Sequence, residues 1–278
     1  MNPAIIEFFA NYIKDQLGIM YEKTNYYQLE KRLEELAKSE GCATLEDLHK
    51  KAKLGIYGTF KTKLLDLATN NETSFFRDPK VFEMVEKEVF PHFMKMGMKD
   101  IRVWSAASSF GQEIYSLLML NQELPLGTRP EIREFIGTDI SEKALKKATE
   151  GIYNHVEMGR GLTPHLQNKY FSPAKEPNHW QVKMNLRGKV HFKSQNILDT
   201  FTSLGKFDLI LCRNILIYQN VESKAKILDR LFDQLTENGI LIMGVGESMI
   251  GLSTKFEQLN VSSVSIYRKK QNAAKKVA

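Results

Sequence analysis

Four stretches of the chain place small or polar residues directly behind apolar runs, the arrangement from which an open parallel sheet builds ligand sites. In WSAASSFGQE, Ala106, Ala107, Ser108 and Ser109 are small, and Gly111 lets backbone approach a ligand closely. The stretch lacks the G-x-G-x-x-G fingerprint that admits a pyrophosphate to a helix N-terminus. Glu113 repels a pyrophosphate and attracts a cationic ligand; it equally suits the first turn of a helix through the helix dipole. In GTDIS, Asp139 closes an apolar run, where a carboxylate accepts hydrogen bonds from the ribose hydroxyls of a nucleoside. Its other reading is a helix cap, a role for which Ser141 is better placed. Asn196, with Ile197 and Leu198 behind it, and Arg213-Asn214 after FDLILC supply amides and an apolar face able to read an adenine edge. TNNETSFFRD gathers Asn71, Thr73, Ser74 and Arg77 in a polar turn beside Phe75 and Phe76, and NILIY sets Tyr218 just beyond the fourth strand.

These residues need a frame to bring them together. Residues 4 to about 70 read as successive amphipathic helices, with Ile5, Phe8, Phe9, Tyr12 and Ile13, then Tyr26, Leu29, Leu33, Leu36 and Ala37, at helical spacing. Asp78 and Pro79 predict an N-cap and first position for a helix running to about Phe93. From residue 100 the texture changes to strands (IRVWSAA, REFIGTDI, KVHF, FDLILC, ILIMGV) alternating with helices (GQEIYSLLMLNQEL, SEKALKKATEGIY and Lys224 to Leu235, ending at Asn238-Gly239). This predicts a doubly wound α/β sheet. The stretch 157–190, with Pro164, Pro173, Pro177 and the strand-like WQVKMNL, interrupts the alternation and reads as an inserted small antiparallel β-subdomain. The expected organisation is a helical domain over 1–78, an α/β domain over 79–270 and a solvated basic tail over 271–278, with Phe75 and Phe76 welding the two domains.

Composition narrows the chemistry. With 278 residues, 42% hydrophobic and 26% charged, and a mean hydropathy of −0.33, the chain is that of a globular protein rather than a disordered or fibrous one. No run approaches the ~20 apolar residues of a membrane span, and the opening MNPAIIEFFANYIKDQLG reads as an amphipathic helix rather than a signal peptide. Cys42 and Cys212 form no disulfide framework, which fits a cytoplasmic protein. His49, His92, His155, His165, His179 and His191 have no ligand spacing, so no metal is expected. A net charge of +6 suits an acidic partner, but no basic stripe interleaved with aromatics points to nucleic acid.

Taken in order, TNNETSFFRD, RVWSAASSFGQEIYS, GTDIS, SQNIL and FDLILCRNILIY resemble the chemotaxis receptor glutamate methyltransferases, the CheR family. The resemblance runs from the N-terminal helices to Tyr267. It implies a class I S-adenosylmethionine-dependent methyltransferase sheet, with S-adenosylhomocysteine as product. By matching position, Asn71, Thr73, Ser74 and Arg77 line cofactor and active site; Glu113 and Asp139 hold the amino-acid and ribose parts. Asn196, Ile197, Arg213 and Asn214 complete the pocket, and Arg77 and Tyr218 stand at the methyl group. The implied substrate is a glutamate on the cytoplasmic methylation helices of a chemoreceptor, giving a γ-methyl ester and sensory adaptation at membrane receptor arrays; with no heptad seam in the sequence, a monomer is expected. The helix with Lys31, Arg32 and Lys38 corresponds to the family's basic receptor-facing helix, and Lys50, Lys51, Lys53, Lys61 and Lys63 add to the steering. Members recruited by a receptor's C-terminal pentapeptide carry Gly-x-Gly in the β-subdomain, whereas FSPAKEPNHWQVKM has no glycine, so recognition without that tether is expected. Competing readings are a non-catalytic cofactor-binding or receptor-docking module, a methyltransferase acting on nucleic acid and, least favoured, a nicotinamide dehydrogenase.

Overall fold

The computed structural model describes residues 2–261 and 264–270. The chain opens with four helices, α1 (Pro3–Leu17), α2 (Tyr26–Ser39), α3 (Leu45–Leu54) and α4 (Gly58–Ala68). Asn2 caps α1 by accepting from the Ala4 N–H, Pro3 occupies the first turn, and Gly18 ends the helix in the left-handed region. The apolar stripe does form the core: Ile6, Phe9, Ile13, Leu29, Leu33 and Leu64 are fully buried. Each contributes on the order of 1.5–3 kcal/mol. Lys51 and Lys63 both grip the Glu40 carboxylate, at 2.6 and 2.7 Å, so two lysines expected to steer a partner instead tie α3 and α4 to the end of α2.

The helix expected after Asp78 is divided into α5 (Pro79–Met84), a π-helical turn (Val85–Val89) and α6 (Phe90–Lys95). The wide turn precedes Pro91, which lacks an N–H and whose ring would meet the carbonyl four residues back. Asp78 is no cap: its backbone is left-handed (φ 57°), and its carboxylate turns to Arg213.

The expected α/β core follows as β1 (Asp100–Ala106), α7 (Gln112–Glu123), β2 (Glu131–Asp139) and α8 (Glu142–Glu150). Next come β3 (Ile152–Asn154), α9 (His155–Gly159), α10 (Pro164–Tyr170), β4 (Phe171–Pro173), β5 (His179–Val182) and α11 (Met184–Arg187). The chain closes with β6 (Val190–Ser194), β7 (Phe207–Cys212), α12 (Val221–Gln234), β8 (Leu235–Met243), β9 (Phe256–Val261) and β10 (Val264–Lys269). The large sheet has the order β6-β2-β1-β7-β8-β10-β9, parallel from β6 to β8, with β10 antiparallel to both its neighbours. Strand order reverses between β1 and β7, which opens a crevice at their carboxyl ends.

Several boundaries depart from the sequence pattern. Helix α8 stops at Glu150 because Gly151 takes φ 61°, and Ile152–Asn154 pairs antiparallel with β5 instead of extending the helix. The small sheet β3-β5-β4 therefore begins before residue 157. In WQVKMNL the strand ends at Val182, and Met184–Arg187 is a helical turn. Strand β8 starts at Leu235, ahead of Asn238-Gly239. The β9–β10 hairpin, which the alternation did not suggest, carries the sheet to Lys269; residues 271–278, the expected tail, lie outside those described.

Candidate active site

A cavity of about 260 Å³ occupies the crevice, walled by the helical domain on one side and by the carboxyl ends of β1, β2 and β7 on the other. It brings together Asn71, Thr73, Arg77, Glu113, Asp139, Asn196, Ile197, Arg213, Asn214 and Tyr218. Ser74 is the exception among the expected residues: it does not line the cavity, because the chain turns there to bury Phe75.

The floor is the turn after β1. Ala107 (φ 56°) and Ser109 (φ 50°) are both left-handed, a conformation disfavoured for residues with a Cβ and kept where the surroundings over-determine it. The Ser108 N–H donates to the Thr138 carbonyl and the Ser109 Oγ to the Asn71 carbonyl, both at 2.8 Å. The Ser108 Oγ is buried beside Gly137 without a hydrogen-bond partner. Asp139 accepts from the Ser109 N–H (2.8 Å) and the Ser141 N–H (2.9 Å), and Ser141 caps α8 through Ala144, as its position predicted. Asp139 is 6% exposed. Burial raises its carboxyl pKa, against the lowering effect of the backbone N–H groups of Ser141, Ser109 and Ile140.

Arg213 and Glu113 meet as an ion pair. The Arg213 side chain is 1% exposed and forks between the Glu113 Oε2 (2.7 Å), the Asp78 Oδ2 (2.6 Å) and the Arg77 carbonyl (2.9 Å). Glu113 accepts on its other oxygen from the Ser105 Oγ at 2.8 Å. Arg213 thus fixes the backbone that carries Arg77, and the paired Glu113 faces the cavity with its charge largely balanced.

The Asn196 Nδ2 donates to the Gln16 carbonyl (2.7 Å), and its oxygen accepts from the Leu198 N–H (3.0 Å). Both ends of this amide are thus engaged inside the protein. Beside it the Gln219 Nε2 donates to the Leu17 carbonyl (3.0 Å), and Ile19 and Gln219 form an antiparallel bridge. Arg77 donates to the Glu72 carbonyl (3.0 Å), and the Tyr218 Oη accepts from the Asn70 Nδ2 (3.2 Å). On α2, Arg32 turns inward: it lines the cavity and donates to the Leu67 carbonyl at 2.9 Å. It therefore does not share an outward face with Lys31.

Phe75 anchors the segment that carries these groups. It is buried edge-on against Tyr153 and Phe171 of the small sheet, while Phe76 packs on Phe82. Gly161 (φ 89°) lets this segment pass, since a Cβ there would lie 1.8 Å from the Phe75 carbonyl oxygen. Cys212, just below the site, is buried, and burial pushes its thiol pKa well above the ordinary value. Asn70 and Gln219 escaped the sequence reading, and Arg32, expected on a receptor-facing surface, lines the cavity instead. Asn70 stands within a stretch already singled out, but nothing in its type distinguishes it from Asn71.

Comparison with known proteins bears on this geometry. Residues 71–265 match the family model described as CheR methyltransferase, SAM binding domain. The chain is 35% identical to chemotaxis protein methyltransferase 1 of Pseudomonas aeruginosa, covering 96% of this chain and 98% of that protein. It is 34% identical to a chemotaxis protein methyltransferase of Vibrio parahaemolyticus, covering 94% and 95%. Among solved structures it is similar to magnesium protoporphyrin IX methyltransferase from Synechocystis with bound SAM: 15% identity, TM-score 0.38, covering 81% of this chain and 97% of that one.

Proposed function

Because the chain belongs to the CheR methyltransferase family, we propose that it methylates glutamate γ-carboxylates on the cytoplasmic helices of chemoreceptors, and so serves sensory adaptation. S-adenosylmethionine is the cofactor of the matched domain, and the cavity suits it. Asp139 lines the cavity at the end of β2, with lone pairs left for ribose hydroxyls beside those that accept from Ser109 and Ser141. When bound, the cofactor supplies an electrophilic methyl group on a positively charged sulfur.

The residues of this chain then have a positioning task. A glutamate acceptor, with an ordinary pKa of about 4.3, is already an anion at neutral pH and needs no general base. Aligning it in the crevice can supply roughly 7–11 kcal/mol of the barrier. Arg77 offers planar, permanently charged donors to the carboxylate. Tyr218 offers a second donor: Asn70 donates to the phenol oxygen, which leaves the phenol hydrogen free for the acceptor. A grip that strengthens only as the methyl moves is what accelerates the step, so Arg77 orients the acceptor rather than locking it.

The observation that carries this reading is that Arg77 and Tyr218, from separate parts of the chain, border the same cavity as Asp139. Recognition without a pentapeptide tether belongs to the same proposal. The β4–β5 hairpin turns through a left-handed Asn178 and an Ala174 N–H to His179 carbonyl bond, with no glycine between Phe171 and Met184.

The test uses tritiated S-adenosylmethionine and receptor-bearing membranes, followed by alkali. Carboxyl methyl esters release volatile methanol, and Arg77→Ala should remove the signal while S-adenosylhomocysteine affinity stays within about threefold. Wild-type protein that yields no alkali-labile methanol overturns the reading.

A further inference from the structure

Nothing in the sequence pattern marks Glu247, in the loop after β8, yet its carboxylate is the most heavily hydrogen-bonded acceptor beside the cavity. It accepts from the backbone N–H groups of Asn214 (2.9 Å), Ile215 (3.0 Å), Leu216 (2.7 Å), Ile217 (3.3 Å) and Gly244 (2.8 Å). The residue is 9% exposed, and among the described residues it forms no ion pair. Among the described residues, the donors that surround it are all peptide N–H groups.

The N–H groups converge for a conformational reason. Asn214 is left-handed (φ 59°) and Ile215 right-handed (φ −119°, ψ −38°), an alternation that turns successive N–H groups to one side and makes an anion-binding concavity. Gly244 leaves the opening through which the carboxylate enters: a Cβ there would lie 2.7 Å from the Glu247 Oε2 and 3.0 Å from the Asn214 nitrogen. The clamped loop faces the cavity with Asn214 and Ile215, and continues through the Tyr218 N–H to Ile215 carbonyl bond (3.2 Å) to Tyr218 itself.

We propose that Glu247 is a positioning residue for methyl transfer: an internal anion that fills the concavity of residues 214–217 and so fixes Tyr218 at the mouth of the cavity. It does not line the cavity and acts only through the loop. The proposal rests on the reading that Tyr218 meets the acceptor carboxylate.

Glu247→Gln preserves size but turns an NH₂ toward converging N–H donors. The variant should keep its circular dichroism, and S-adenosylhomocysteine affinity should stay within about threefold of wild type. Its kcat should fall about ten- to hundredfold, the scale set by a displacement of about 1 Å at a reacting group. Amide hydrogen exchange should accelerate at least about tenfold over 214–217 and stay unchanged in β1 and β7. Combining it with Tyr218→Phe should cost no further kcat, because both changes remove one function. If Glu247→Gln fails to fold, Gly244→Ala, which crowds the same carboxylate, should give the same pattern. Unchanged exchange over 214–217, a kcat within about twofold of wild type, or additive losses in the double variant would overturn the proposal. Should wild-type protein transfer no methyl, the proposed function fails, and hydrogen exchange alone decides whether Glu247 holds the loop.

Discussion

Replacing Arg213 by Met should cost more stability than any surface charge change in this protein. The guanidinium makes three charge-assisted hydrogen bonds, to Glu113, Asp78 and the Arg77 carbonyl, from a side chain only 1% exposed. Met fills the volume but leaves two carboxylates without their partner. Glu113, 15% exposed, bears most of the penalty, whereas Asp78, at 35%, recovers part of it from water. Breaking a buried pair from one side costs about 3–5 kcal/mol, and discounting the Asp78 share leaves about 3 kcal/mol. That corresponds to a fall in Tm of about 6–12 °C, measurable by differential scanning calorimetry with urea titration as the second probe. Adding Glu113→Gln should restore most of the loss, because removing both charges of a buried pair is close to neutral. Turnover should not return with it, since the backbone of Arg77 would still lack its anchor. A Tm within about 2 °C of wild type, or a double variant less stable than Arg213→Met, would refute the buried-pair argument.

Two other outcomes follow from the same geometry. In the proposed function the ionised form of Asp139 accepts ribose hydroxyls, so cofactor binding should lower a carboxyl pKa that burial has raised. Affinity for S-adenosylhomocysteine should therefore weaken as pH falls through that raised pKa. Asp139→Asn should bind about 1–3 kcal/mol more weakly at neutral pH and lose this dependence, as calorimetric titration from pH 8 to 5 would reveal. Gly161→Ala adds a Cβ 1.8 Å from the Phe75 carbonyl oxygen at φ 89°, and should destabilise by about 3 kcal/mol in urea unfolding. Gly159→Ala, with open space around it, is the control; equal stability of the two variants would contradict the account.

The architecture was legible where one interaction dominates. The apolar run FDLILC became the buried β7, and the helical stripe from Ile5 to Leu65 became a separate core. Boundaries failed where tertiary contacts overrode local pattern. Ile152–Asn154 reads as the end of a helix, yet pairing with β5 makes it a strand. Asp78-Pro79 does start a helix, but the Asp78 carboxylate expected to cap it is claimed by the buried guanidinium of Arg213, 135 residues further along the chain. Residue types near the site were visible because loops at strand ends gather polar groups, and ten of the expected side chains do share one cavity. Their partners were not visible. That Glu113 is paired, that the Asn196 amide is committed to α1 and that Glu247 holds the loop before Tyr218 all depend on long-range contacts.

The two amides that grasp the end of α1 have a consequence for how such proteins can be recombined. Asn196 holds the Gln16 carbonyl and Gln219 the Leu17 carbonyl, and any side chain at Gly18 would collide with Gln219, whose Oε1 lies 1.9 Å from the Cβ position. Roof and walls of the chamber are thus riveted at both lips. A chimera joined near residue 78 would exchange the roof yet keep foreign rivets, so its misfit would fall on the walls of the cavity proposed to hold the nucleoside. On the proposed function, acceptor preference and donor binding would belong to one shell and would have to be re-engineered together.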